Sequence, residues 1–211
     1  MAVEIVPVNA AAPERAVIAR AAEAILRGGV IGFPTDTFYG LGGSLMDPAA
    51  VDMVYQIKRR PRDLAVISLI ADPGQVEALA GEVPEIAATL MRRFWPGPLS
   101  IVFRASPLLR LGSRGPRDTV ALRFPRHPVS LALVHAVGGP VVASSANLSG
   151  QPPARTAQEV ARAFGNQLDL VLDGGPAQAA EPSTLVDVSR GRLTVLRPGA
   201  VDVSALLPPE S

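Results

Sequence analysis

Short apolar runs rich in β-branched residues alternate along this chain with segments of helical periodicity, and that alternation restricts it to a layered α/β architecture. VIGF at 30–33, AVISLIA at 65–71, LSIVFR at 99–104, TVALRF at 119–124, VVAS at 141–144, DLVL at 169–172, STLVDVS at 183–189 and LTVLR at 193–197 read as strands. The segment 13–27 opens at Pro13, carries Val17, Ile18, Ala21, Ile25 and Leu26 at helical spacing, and stops before Gly28 and Gly29. Asp47 is placed to cap a helix opened by Pro48 and lined by Val51, Val54 and Ile57, which Pro61 brings to an end near Arg60. Further helices are expected at 73–80, 84–94 and 128–137, and Thr156 with Glu159 forms a capping-box signature for another. WPGP at 95–98 interrupts the pattern, and ASPLLRLGSRGPRD at 105–118 reads as a mobile basic loop. No repeat or low-complexity linker divides the 211 residues, so the expectation is a single α/β domain over 1–211 with a mixed sheet and a Pro-rich tail at 201–211.

Composition narrows the chemistry. With 48% apolar but only 4% aromatic residues, the core must be built from Val, Leu, Ile and Ala. The absence of cysteine removes disulfide frameworks, thiolate nucleophiles and thiolate metal sites. Only His127 and His135 remain as imidazoles, both read as structural, and no metal ligands are assigned. The net charge of +1 points to neither a nucleic-acid nor a membrane partner. No run approaches the roughly 20 apolar residues that span a bilayer, and the N-terminal MAVEIVPVNAAAPERA has no long apolar centre. No membrane association and a cytoplasmic location are therefore expected.

Three segments could carry chemistry. Pro34-Thr35-Asp36-Thr37-Phe38-Tyr39-Gly40-Leu41-Gly42 follows a strand, where α/β sheets place their pockets, and combines hydroxyls, a carboxylate and glycines that let a ligand approach the backbone. Lys58-Arg59-Arg60-Pro61-Arg62 gathers four cations at a helix end, suited to capping that helix or to binding phosphates. Of the 20 basic residues, 19 are Arg and only Lys58 is Lys; a base composition favouring Arg codons accounts for the excess, and a site needing a compact ammonium rather than a guanidinium fork would retain the one lysine. Ser144-Ser145-Ala146-Asn147-Leu148-Ser149-Gly150 after VVAS could offer hydroxyls and backbone N–H groups to phosphate oxygens or simply close a turn. The familiar nucleotide loops are absent: there is no GxxxxGK[ST], GLGGS at 40–44 lacks the GxGxxG spacing, and neither GxSxG nor HExxH occurs.

Taken in order, PTDTFYGLG, KRRP, FWPGPLS, TVALRFPRHP, SSANLSGQP, STLVDV and LRPG resemble the motifs of the YrdC family over about residues 14–200. The resemblance implies an open twisted α/β sheet of YrdC type with helices packed on it and a large basic cleft. It further implies an L-threonylcarbamoyladenylate synthase, a nucleotidyltransferase that converts L-threonine, bicarbonate and ATP into threonylcarbamoyl-AMP and pyrophosphate. A transferase complex would then pass the threonylcarbamoyl group to the tRNA adenosine beside the anticodon. By motif match, Thr35, Arg123, Ala143 and Ser183 would contact threonine, with Arg123 on its carboxylate. Lys58 and Arg60 would be catalytic, and Lys58 with Arg60 or Arg62 would hold the phosphates. Thr119, Ser145, Asn147 and Arg197 would bind the nucleotide, while Asp36 could orient the threonine amine. Mg²⁺ is expected with ATP.

One departure stands out: where many members of the family have Pro-Leu and a nearby His after KxRP, this chain has Leu64-Ala65-Val66. The chain is similar to the short bacterial form, without a second cleft-closing domain. Two other readings are a non-catalytic RNA-binding module using a basic concave face, and a diverged paralogue with another acyl acceptor.

Overall fold

Most of the expected strands and helices form, but the strands divide between two mixed sheets in the computed structural model, which describes residues 3–207. The first sheet has the order β1 (Ile5–Pro7), β9 (Val171–Asp173), β2 (Ile31–Phe33), β3 (Gly40–Gly42), β8 (Ser144–Ser145). The second runs β11 (Thr194–Arg197), β10 (Thr184–Asp187), β5 (Leu99–Arg104), β6 (Thr119–Arg123), β4 (Ile67–Leu69), β7 (Val141–Val142). Parallel pairs join β1 to β9, β9 to β2, β10 to β5 and β4 to β6, and the remaining pairings are antiparallel.

The run VVAS is where the sheets meet. Val141 and Val142 pair with Leu69 and Ser68 in the second sheet, whereas Ser144 and Ser145 pair with Leu41 and Gly40 in the first. Ala143 is the crossing residue, held by its N–H to the Ile67 carbonyl at 2.8 Å. Gly42 lies opposite this crossing, and a Cβ there would sit 1.5 Å from the Val142 carbonyl oxygen. The glycine-rich run 40–44 therefore serves the approach of one chain segment to another at Gly42, and not only access for a ligand.

Helices α1 (Arg15–Leu26), α2 (Pro48–Lys58), α3 (Val76–Leu79), α4 (Glu85–Phe94), α5 (Pro128–Val137) and α6 (Ala157–Phe164) follow the periodicity of the sequence. Asp47 caps α2 by accepting from Ala49 N at 3.0 Å with Pro48 at the first position, as its sequence predicts. His127 caps α5 through Nδ1, which accepts from Val129 N at 3.3 Å. Thr156 caps α6, but Glu159 returns its bond to Arg155 N at 2.6 Å, one residue earlier than in a regular capping box. The helix expected at 73–80 is a 3₁₀ turn, Pro73–Gln75, followed by one turn of α-helix. Ile18, Ala21 and Ile25 of α1 and Leu133 and Val134 of α5 share a core with Ile31, Phe33 and Leu172. A larger core joins α2, α4 and α6 to β5 and β10.

The segment 105–118, expected to be mobile, is cross-braced. Arg114 donates to the Leu109 and Pro107 carbonyls at 2.8 and 2.9 Å and pairs with Asp118, while Leu109 and Ser113 are buried. Within the expected tail, Val203 is buried in the main core, and 208–211 lie outside the described residues. No helix among the described residues is long and apolar enough to cross a membrane.

Candidate active site

The two sheets and the loops at their junction enclose a cavity of about 310 Å³. Of the residues singled out in the sequence, Thr35, Arg60, Arg123, Ala143, Ser145, Asn147, Ser183 and Arg197 line it. A second cavity of about 940 Å³ opens beside it and shares Arg60, Ala65, Leu185 and Arg197 with the first. Thr119 lines this second space together with Arg104, Arg117 and Arg190, so the two ends of β6 serve neighbouring cavities. Together they have the size and mixed lining of a site for a small molecule with several charged groups.

Each arginine is aimed by its own scaffold. Arg123 at the end of β6 is 4% exposed, pairs with Asp36, donates from Nε to the Gly97 carbonyl at 3.1 Å and reaches Thr37 Oγ1 at 3.3 Å. Asp36 is not part of the cavity lining; it holds Arg123 from behind, a correction to the expectation that it orients a substrate amine. Arg197 donates from Nη2 to the Ser183 carbonyl at 2.8 Å and to Ser183 Oγ at 3.0 Å, and that hydroxyl is also bonded to Ser100 Oγ. Arg60 donates to the Leu64 and Ala65 carbonyls at 3.2 and 2.8 Å. Leu64 and Ala65 thus hold Arg60 through their backbone, which any side chain can supply, so the departure from the family pattern at 64–66 leaves this scaffold intact.

These guanidinium groups sense one another. Burial lowers the pKa of Arg197, and the charges of Arg60 and Arg123 add to the effect. Burial also lowers that of Arg60, against an opposing pull from Tyr55 and Asp63. Like charges gathered in a partly buried space repel, and a polyanion entering it relieves the repulsion.

The four cations at 58–62 have different fates. Arg59 adopts the left-handed conformation at φ 50° and closes α2, which turns the chain so that Arg60 enters the cavity. Arg62, expected on the phosphates, pairs instead with Asp52 and stacks over the Tyr55 ring at 4.2 Å, outside both cavities. Lys58 is 1% exposed and lies beneath the Ser145–Asn147 turn rather than in the lining. Its Nζ donates to the Ser145 carbonyl, to the Asn147 carbonyl at 2.7 Å and to Asn147 Oδ1 at 3.4 Å. Burial and, secondarily, Arg60 pull its pKa down to about 7. Of the cations expected on the phosphates, Lys58 and Arg62 thus lie outside both cavity linings, whereas Arg60 and Arg197 line both.

Hydroxyls complete the lining. Thr35 Oγ1 donates to the Phe38 carbonyl at 2.7 Å and accepts from Thr37 N at 3.1 Å, folding the 34–38 turn around itself. Thr119 Oγ1 is bonded to the Pro116 carbonyl at 2.7 Å. Phe38, Ile67, Pro153, Pro182 and Leu185 also line the first cavity. None of the latter four lies in the three segments picked out for chemistry, since an apolar residue in a strand or loop looks the same whether it faces a core or a ligand.

Comparison with known proteins adds to this geometry. Residues 23–199 match the model of the Sua5/YciO/YrdC family, described as telomere recombination. The chain is 40% identical over 189 residues to the threonylcarbamoyl-AMP synthase of Bacillus subtilis, covering 87% of this chain and 54% of that protein. It is 38% identical to a putative threonylcarbamoyl-AMP synthase of Mycobacterium tuberculosis, covering 90% of this chain and 87% of that protein. The crystal structure of Pyrococcus abyssi Sua5 complexed with L-threonine superimposes with a TM-score of 0.90 at 38% identity, over 96% of this chain and 59% of that one. The chain thus spans about half the length of the Bacillus and Pyrococcus relatives.

Proposed function

Because the chain belongs to the Sua5/YciO/YrdC family, we propose that it is an L-threonylcarbamoyladenylate synthase, forming threonylcarbamoyl-AMP and pyrophosphate from L-threonine, bicarbonate and ATP. The observation that carries this reading is the convergence of Arg60, Arg123 and Arg197 with Thr35, Ser145 and Ser183 on one cavity. Arg123, fixed by Asp36 and the Gly97 carbonyl, is the carboxylate partner of threonine, with Thr35, Ala143 and Ser183 around the rest of the amino acid. Arg60 and Arg197 stand where the two cavities join and face the phosphates, leaving the larger space with Thr119 to the nucleoside end of ATP.

The chemistry asks for positioning more than for a base. The neutral amine of threonine adds to the carbon of CO₂, supplied by dehydration of bicarbonate, and releases a proton to give a carbamate. A carbamate oxygen then attacks the α-phosphorus, forming a new P–O bond as the bond to pyrophosphate breaks. The nucleophile is already anionic, so the site contributes alignment and donors for the charge on the phosphates. Mg²⁺ belongs to the ATP substrate in this scheme. Among the described residues no group of three or more His, Cys, Asp or Glu is arranged to hold a metal ion, and the ion that accompanies ATP would supply charge neutralisation on its phosphates. A cytoplasmic location, delivery of the product to a transferase complex and final attachment to tRNA adenosine follow from the same reading.

Pyrophosphate release from ATP with bicarbonate, measured with and without L-threonine, tests the proposal. Release that depends on threonine is the expected result. Salt-sensitive RNA binding without any release would replace this reading with that of a non-catalytic RNA-binding module. Serine differs from threonine by one methyl, worth about 1 to 3 kcal/mol in an apolar contact. It should therefore be activated with kcat/KM lower by about 10- to 200-fold, and complete rejection would show that the side-chain pocket is wrongly placed.

A further inference from the structure

Between β9 and β10 the chain passes from the first sheet to the second along residues 174–183, and Pro182 and Ser183 at the far end of this connection line the first cavity. Its near end is held by Tyr39, whose hydroxyl donates to the Gly175 carbonyl at 2.7 Å and accepts from Gly174 N at 3.2 Å. Its far end is held where the Pro182 carbonyl accepts from Ala200 N at 2.9 Å. Midway, Ala177 N donates to the Arg155 carbonyl at 2.8 Å, and Arg155 Nη2 donates to the Ala177 carbonyl at 3.0 Å. Among the described residues no hydrogen bond joins 178–181 to anything outside the connection, so Arg155 is its one tie between the two anchors. The same guanidinium stands over the Phe38 ring, 5.6 Å from its centroid. Phe38 also lines the first cavity, and its carbonyl is the acceptor for Thr35 Oγ1. Arg155 itself is exposed, lies outside both cavity linings and is fixed by its N–H to Glu159 Oε2 at 2.6 Å.

We infer that Arg155 is a positioning residue for the amino-acid end of the site, a latch that holds the 174–183 connection against Phe38 and thereby sets the spacing of Ser183 and Thr35. This role rests on the function proposed above, in which both hydroxyl residues contact threonine. Thr35 follows a strand of the first sheet and Ser183 precedes a strand of the second, so their spacing depends on what ties the sheets together at this edge of the cavity. One side chain reaches both: through the ring to the 35–38 turn, and through Ala177 to the connection that ends at Ser183. A guanidinium suits the task, because its flat face can stand over a ring while an edge N–H donates to a carbonyl. Each contact is modest at an exposed site, but a connection with few other ties opens readily once its midpoint is released.

Two measurements on Arg155→Met, which keeps the apolar stem and removes the cation with its donors, test this role. Hydrogen exchange read by mass spectrometry should quicken in peptides covering 174–183 and stay unchanged in the strands of both sheets. In the pyrophosphate assay KM for threonine should rise about fivefold or more, as the loss of one hydrogen bond and one cation–π contact implies, while KM for ATP stays within about twofold of wild type. Arg155 is exposed, so the variant should fold with a Tm close to that of wild type. Unchanged exchange in 174–183, exchange quickened across the whole chain, a wild-type KM for threonine, or equal rises in both KM values would each overturn the assignment. A wild-type chain without threonine-dependent release sinks the parent reading instead, and the exchange measurement still decides whether the latch exists.

Discussion

Arg123→Ala is expected to lose threonine-dependent pyrophosphate release by at least about 10²-fold and to be markedly less stable. The first effect follows from losing the proposed partner of the threonine carboxylate, since two decades in rate correspond to about 2.7 kcal/mol of transition-state stabilisation. The second comes from the other side of the residue. Arg123 and Asp36 are both largely shielded from water, so truncating the cation leaves a carboxylate without its counter-charge. Breaking a buried pair in this way costs about 3 to 5 kcal/mol, or about 6 to 20 °C in Tm for a domain of this size. Adding Asp36→Asn separates the two effects. It removes the orphaned charge, so the double variant should regain much of the Tm while remaining inactive. A single variant with near-normal KM for threonine would remove Arg123 from the substrate site.

Gly42→Ala is expected to be the most damaging single methyl in the protein. The added carbon would lie 1.5 Å from the Val142 carbonyl oxygen, a backbone atom of the segment that carries the chain from one sheet to the other. Neither side can give way without breaking β3 or β7, so the loss should be at least about 4 kcal/mol, a fall of about 10 °C or more in Tm. Gly40→Ala in the same motif is the control. The atoms nearest its new methyl are side-chain atoms of Thr35 and Phe33 at 3.4 to 3.5 Å, an ordinary contact, and its Tm should stay within a few degrees of wild type. Equal stability of the two variants would show that the sheets do not meet at Val142.

Local features were legible wherever a local cause sets them. The Asp47 cap with Pro48, the periodicity of α1 and α5 and the apolar runs of β5 and β6 are written in neighbouring residues and recur in the structure. β1 and β3 were missed for a shared reason. Each is three residues long, one ending in proline and the other built around two glycines; β1 is a strand because the distant β9 supplies its partner, and β3 because it is held between neighbouring β2 and distant β8. VVAS reads as one strand because its residues look alike, and only its pairing with Ser68 and Leu69 on one side and Gly40 and Leu41 on the other divides it between sheets.

The site follows the same division. The amino-acid order alone established an α/β chain, its family motifs and a pool of residues capable of holding an amino acid and phosphates, because residue type and short-range spacing carry that information. What only the tertiary structure decided is which member of each motif lines the cavity. The last turn of α2 places Lys58 beneath a turn nearly ninety positions further along, and a left-handed Arg59 then redirects the chain, with Arg60 in the cavity lining and Arg62 out on Asp52. Asp36 lies next to a cavity residue in the chain yet supports Arg123 from behind. These outcomes depend on long-range register and on which buried charges and carbonyls meet, and neighbouring residues do not encode such meetings.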